Sequence, residues 1–261
     1  MNRPSTWVKN GSSIVMGLLF ISGFISACSD KEQSWERIIE EGQLNIGLDP
    51  SFPPFEATDG TNVYGIDVDL ANAITAELGL EPNFIHFGYD GLYDALMTNQ
   101  VDVLISALVI FPERTKDFIY SESYFDAGQV LASANSPHLE SLDDLDDETI
   151  GVELGAEGHI LALDWQRQRP SLTLAPYSSA EEALNSLITA EVDLTIVDKI
   201  SALLYAASTE MDLELLEISS EPFAMAVREE DTLLLDKLNS ALQQVEKSGQ
   251  LEKIIDSWLN E

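Results

Sequence analysis

From residue 44 onward, short apolar runs spaced for strands alternate with stretches whose apolar positions recur at helical spacing. That alternation predicts an α/β architecture with largely parallel sheets. Strands are expected at 44–48, 83–87, 101–107, 149–153, 172–176 and 192–197, with a new region opening at 129–134. Helices are expected at 67–78, 91–98, 158–168, 180–189, 232–247 and 250–259. Gly79 ends the first helix, and Ser248-Gly249 separates the last two. Two stretches read alike: LYDALMTNQVDVLIS (92–106) and ALNSLITAEVDLTIV (183–197). Each is an amphipathic helix, a polar turn, Val-Asp and a buried strand. Ordinary βα grammar produces such an echo; so do two lobes of like topology that deliver residues from strand ends into one cleft. The sequence leaves both open.

The amino terminus reads as a processing signal. Arg3 and Lys9 precede an apolar core at 14–25, too short and too broken by glycine and serine to span a bilayer. Ile25-Ser26-Ala27-Cys28 then matches a bacterial lipoprotein box, and Cys28 is the one cysteine in the chain. Residues 1–27 are therefore expected to be a signal peptide, with acylated (palmitate-bearing) Cys28 anchoring the protein through a tether over 28–40. No disulfide is possible within one chain.

Composition narrows the partners. Lys and Arg number 13 against 46 Asp and Glu, a net charge of −33, and the signal peptide carries two of the cations and none of the acids. Such a surface repels phosphate backbones, so nucleic acid is excluded as a partner. The acidic run 143–148 lacks the spacing and glycine of a calcium loop, and His86, His138 and His159 show no metal-ligand spacing. No metal or cofactor is expected.

The most informative stretch is LNIGLDPSFPPFEATDGTNVYGIDVDL (44–70). A strand ends at Asp49, and a double proline then fixes the backbone between Phe52 and Phe55. In open α/β sheets, ligands are held at such carboxyl ends of strands. A second stretch, LVIFPERTKDFIYS (108–121), places Arg114 just past another strand end. Its guanidinium can grip a carboxylate through two parallel hydrogen bonds, or pair at the surface with Glu113 or Asp117. Asp198 follows a third buried strand, where it can cap a helix, accept a ligand ammonium, or both.

These segments resemble the bacterial extracellular solute-binding proteins of family 3, the amino-acid receptors of ABC importers, over about residues 42–259. The resemblance implies a type II periplasmic-binding-protein fold: two lobes, a central ligand cleft and a two-stranded hinge. Lobe 1 would comprise 41–125 plus 223–261 and lobe 2 would be 126–222. The crossings would fall near 123–128 and 221–226, and the carboxyl-terminal helices would return to lobe 1. It also implies roles. Arg114 would take the ligand α-carboxylate and Asp198 the α-ammonium. Phe52 and Tyr89 would face the ligand's side chain, with Asp49 at its distal end. Phe52 and Tyr89 read equally as ordinary core or rim residues.

The chain departs from the family pattern at two loops. Ala107-Leu108-Val109 replaces the usual hydroxyl-bearing residues before the arginine, leaving only backbone groups at Ala107 and Val109. Gly155-Ala156-Glu157-Gly158 replaces a Gly-Thr/Ser-Thr loop, so at Ala156 and Glu157 only amides and the helix dipole remain. Asp49, Glu153 and Glu157 together favour a basic or amine-bearing ligand. The expected function is a monomeric, lipid-anchored, extracytoplasmic receptor, not an enzyme. It would close on a small amino-acid-like ligand and present it to an ABC permease. Two alternatives stay open: a prephenate/arogenate dehydratase-like enzyme, with Glu153 or Glu157 as its acid, and a sensing module for a separate kinase.

Overall fold

A computed structural model describes residues 30–110, 116–134, 141 and 145–259. Cys28, the signal peptide and Arg114 lie outside the described residues. Two five-stranded open sheets carry the fold. The first contains β1 (Gln43–Leu48), β5 (Glu81–His86), β6 (Val103–Leu104), β7 (Phe118–Asp126) and β13 (Pro222–Arg228), in the order β5-β1-β6-β13-β7. The second contains β8 (Gln129–Ser133), β9 (Thr149–Glu153), β10 (Thr173–Tyr177), β11 (Leu194–Asp198) and β12 (Glu214–Glu217), in the order β10-β9-β11-β8-β12. In each, the first three strands run parallel and the last two antiparallel to their neighbours. A small three-stranded sheet, β2 (Ser51–Phe52), β3 (Glu56–Thr58) and β4 (Val63–Tyr64), fills the loop after β1.

Helices α2 (Ile66–Leu78) and α7 (Thr232–Lys247) pack on the first sheet, and α8 (Gln250–Leu259) packs against both helices, so the end of the chain returns to this unit. Leu234, Leu238, Leu242 and Leu251 meet Ile46, Ile66, Leu70 and Ile74 in one core. On the opposite face, α3 (Leu92–Met97) covers Val101, Leu104 and Phe118. The second sheet is flanked by α4 (Glu157–Gln168), α5 (Ala180–Ile188) and α6 (Lys199–Thr209), with separate clusters around Leu184 and around Ile150.

The segment expected to run as a tether over 28–40 is instead helical from Asp30: α1 (Asp30–Glu41) packs on the first sheet unit. Its Ile38 is fully buried and Trp35 lies against the same core. Arg37 binds the buried carboxylate of Asp102. Apolar residues at i and i+3 on a polar helix make a seat, which outweighs an extended conformation. The strand expected over 101–107 is confined to Val103–Leu104, although Asp102 N and Ile105 N also donate to β1, to Asn45 O (2.8 Å) and Gly47 O (3.1 Å). Strands β7 and β13 and helix α1 were not marked by the sequence pattern.

The chain passes between the sheets at 126–129 and 217–222. Asp126 ties the two crossings, accepting from Gly128 N (3.0 Å), Glu221 N (2.7 Å) and Ser220 Oγ (2.5 Å). Burial pushes the Asp126 carboxyl up, but these donors and the charge of Lys199 outweigh it and hold the group below its ordinary value. At Gly128 the crossings touch: a Cβ there would sit 2.2 Å from the Ser219 carbonyl oxygen.

Candidate functional site

Between the two sheet units lies a cavity of about 720 Å³, within the range of small-molecule sites. The first unit contributes Asp49, Phe52, Tyr89, Glu56, Ser106, Ala107 and Val109. The second contributes Asp198, Ile200, Ser201 and Leu204, the crossings contribute Ala127 and Glu221, and β13 adds Phe223. Six of the sequence-derived site residues thus meet in one space: Asp49, Phe52, Tyr89, Ala107, Val109 and Asp198.

The loop after β1 is held from below. Phe55 is fully buried, with edge contacts to Phe125 (5.1 Å between centroids) and Phe223 (5.2 Å). Burial of such a ring is worth about 1.5–3 kcal/mol, and favourable aromatic geometry adds to it. Phe52 stacks on Phe55 at 5.8 Å while remaining 45% exposed. It is therefore a supported ring presented to the cavity rather than a core residue, and Tyr89 is equally exposed. The Pro53–Pro54 peptide is cis. Gly65, at φ 133°, closes the loop: a Cβ there would lie 2.2 Å from the Phe55 oxygen, so only glycine fits.

Asp49 is fixed at both ends. Its amide donates to Ser106 Oγ (3.0 Å) and its Oδ2 accepts from Tyr89 N (2.8 Å). Ser106 in turn donates to Glu56 Oε1 (2.7 Å). Ala107 adopts φ 44°, a conformation that disfavours a side chain, and its amide donates to Asp67 Oδ2 (2.6 Å). Glu56 and Asp67 are both buried side by side. Burial and then the Asp67 charge push Glu56 up to about 10. Burial also raises Asp67, though hydrogen bonds from its neighbours oppose the shift. Two buried acids side by side thus favour the protonated form, Glu56 the more strongly.

Across the cavity, Asp198 ends β11 and caps α6, its Oδ1 accepting from Ser201 N (2.8 Å). Glu221 has its carboxyl raised by burial, then by the charges of Glu157, Asp126 and Asp198. Ala156 and Glu157 lie outside the cavity lining, as does Glu153. The loop over 154–156 turns through Gly155 at φ 88°, and Gly155 N donates to His159 Nδ1 (3.0 Å) where α4 begins. The acids that face the cavity are therefore Asp49, Glu56, Asp198 and Glu221, and only the first and third were singled out by the sequence. Glu56 had a usable signal, an acid locked into the aromatic loop with no lysine or arginine nearby in sequence. Glu221 had none.

Two strand-end loops facing each other across paired crossings define a two-lobed binding protein of the α/β class. The chain belongs to the family described as bacterial extracellular solute-binding proteins, family 3, whose description matches residues 44–261. It is 28% identical to the putative ABC transporter arginine-binding protein 2 of Escherichia coli strain K12, over 82% of this chain and 90% of that one. Among solved structures it is similar to an ancestral amino-acid-binding protein described as a precursor of cyclohexadienyl dehydratase. That match has 29% identity and TM-score 0.53, over 86% of this chain and 98% of that one. The unliganded, open L-cystine solute receptor of Neisseria gonorrhoeae shares the fold at 21% identity, with TM-score 0.77 over 87% and 97% of the two chains. The architecture is the type II periplasmic-binding-protein fold. Among the described residues no helix is long and apolar enough to cross a membrane.

Proposed function

We propose that this protein is an extracytoplasmic receptor of an ABC importer that closes on a small amino-acid-like solute by hinge motion. One observation carries the reading: a single cavity draws its walls from both lobes, and the tied crossings at 126–129 and 217–222 lie between them. Residues 41–125 with 223–261 move as one body and 126–222 as the other. Asp198 takes the ligand ammonium, Arg114 the carboxylate, and Phe52 and Tyr89 flank the side chain. Asp49, whose Oδ2 is held by Tyr89 N, presents its other oxygen to the distal group. A zwitterion then has both charges matched only when the lobes are closed, which is how ligand shifts the equilibrium. The protein is a monomer, anchored through acylated Cys28, and delivers its solute to a membrane permease. The names of the relatives support an amino acid as ligand, arginine among them.

Isothermal titration against the twenty amino acids tests the reading, with binding but no turnover expected. Heat from none of them would end it. A second reading has one observation in its favour: the cavity wall contains a buried carboxyl, Glu56, that burial and the Asp67 charge push toward its protonated form, as a dehydratase needs. Spectroscopic assay with prephenate and arogenate decides against it if neither is consumed.

A further inference from the structure

The wall of the cleft in lobe 1 contains a pair of carboxyls to which the binding roles above give no task. Glu56 comes from β3 and Asp67 from the first turn of α2, and both are at most 1% exposed. If both were ionised, Glu56 Oε2 and Asp67 Oδ1 would be buried with no donor. One proton on Glu56 Oε2 supplies the donor that this pair of orphaned carboxyl oxygens lacks. The groups facing the pair are Asp49 from the loop after β1, Ser106 and the Ala107 amide after β6, and Tyr124 from β7. None of these described groups is cationic. Like charge and burial therefore keep the proton in place, and only a positive charge arriving from the cavity side reverses that balance.

The cavity side is built to receive one. Ser106 spends its proton on Glu56 Oε1 and accepts from Asp49 N. Toward the cavity, Ser106, Glu56 and Asp49 thus offer acceptors only, which suits a tip rich in N–H groups. We propose that Glu56 is a specificity-determining residue of the cleft: neutral without ligand, it releases its proton to solvent when a ligand presses a cationic tip against the wall made by Glu56 and Ser106. Capture of such ligands is then coupled to loss of a proton, whereas a neutral tip leaves the proton where it is. This rests on the receptor reading above and names the ligand class for that site.

The test is calorimetric titration of the whole protein with L-arginine and with its neutral analogue L-citrulline, in buffers of differing ionisation enthalpy between pH 6 and 8. Arginine is expected to release about one proton per ligand and to tighten by about tenfold per pH unit. Citrulline is expected to do neither. The two ligands share the α-amino-acid end, so proton exchange by groups near that end cancels between them. Glu56→Gln should abolish the release and reduce the preference for arginine over citrulline about tenfold. The wild-type comparison decides by itself if that variant fails to fold. Arginine bound without proton release, equal release with citrulline, or binding confined to amino acids lacking a cationic tip overturns the inference while leaving the receptor standing. No binding by any amino acid overturns both.

Discussion

The two lobes are built on one plan and differ in what the plan is used for. Strand order and direction match across the sheets, β5-β1-β6-β13-β7 against β10-β9-β11-β8-β12. The echoed stretches occupy equivalent places. Asn99 and Ala190 both turn at φ 57° after their helices. Asp102 and Asp193 then each accept a backbone amide from the neighbouring strand, from Asn45 N (3.0 Å) and Thr149 N (2.8 Å). The repeat is thus a pair of like-folded lobes, not chance βα grammar. Past the strand ends the likeness stops. Lobe 1 backs its cavity loop with Phe55, Glu56, Asp67 and Ser106, all buried, whereas lobe 2 offers the N-terminal turn of α6, capped by Asp198, and a short loop through Gly155. The contrast makes lobe 1 the more heavily backed half of the cavity.

The largest effect should come from removing that backing. Phe55→Ala empties a fully enclosed site against Phe125 and Phe223, and is expected to cost about 3–5 kcal/mol in urea unfolding. Phe52→Ala, one stacked ring further out and 45% exposed, should cost less than about 1 kcal/mol. Equal losses would mean that the loop is not held from beneath.

On the opposite lobe Asp198 has two roles that substitution separates. Asn caps a helix as well as Asp does but carries no charge. Asp198→Asn should therefore weaken amino-acid binding about 10–100-fold with little change in unfolding. Asp198→Ala should add a loss of about 1 kcal/mol of stability, the cap itself. If Asn binds ligand as wild type does, the ammonium is held elsewhere.

Much of this was readable beforehand, and the omissions have physical causes. Residues at strand ends are legible because a buried apolar run must stop where the chain meets solvent or ligand, which is how Asp49, Ala107 and Asp198 stand out. Helix α1 escaped because only Trp35 and Ile38 mark its buried face within a charged stretch. Strands β7 and β13 carry serines, a glutamate and an arginine inside them, and the register shifts near Phe223 and Ala224 break their alternation. Glu221 could not be read at all: it enters the cavity only because two distant crossings lie side by side. Glu153 and Glu157, expected near the ligand's side chain, are not among the residues lining the cavity, though the charge of Glu157 reaches Glu221 on its wall.

The buried pair in lobe 1 makes its stability depend on pH in a way lobe 2 does not share. Unfolded Glu56 ionises near 4.5, whereas burial and Asp67 keep it protonated in the fold up to about 10. The folded chain binds the extra proton, so its contribution is complete below 4.5 and declines as pH rises toward 10. Glu56→Gln keeps a donor toward Asp67 without that liability. Its stability relative to wild type should grow between pH 5 and 8 by up to about 1.4 kcal/mol per unit, read from urea midpoints at each pH. A difference that stays flat would show that Glu56 is ionised in the fold.

The last comparison tests the shared plan itself. Asp102 and Asp193 make the same bond to the adjacent strand, yet Asp102 is buried, also accepts from Asn45 Nδ2 (3.0 Å) and receives Arg37 from α1, while Asp193 is exposed. Replacing Asp102 by Ala leaves the Asn45 groups and the guanidinium short of an acceptor, at an expected cost of about 1–3 kcal/mol. The same change at Asp193 lets water take the place of the carboxylate and should cost about 0.5–1 kcal/mol. Arg37→Ala, which removes only the half-exposed partner, should fall in that lower range too. If Asp193→Ala costs as much as Asp102→Ala, burial is not what separates the two positions. The amide bond common to both lobes would then carry the whole effect, and α1 would be an ornament on lobe 1 rather than part of its frame.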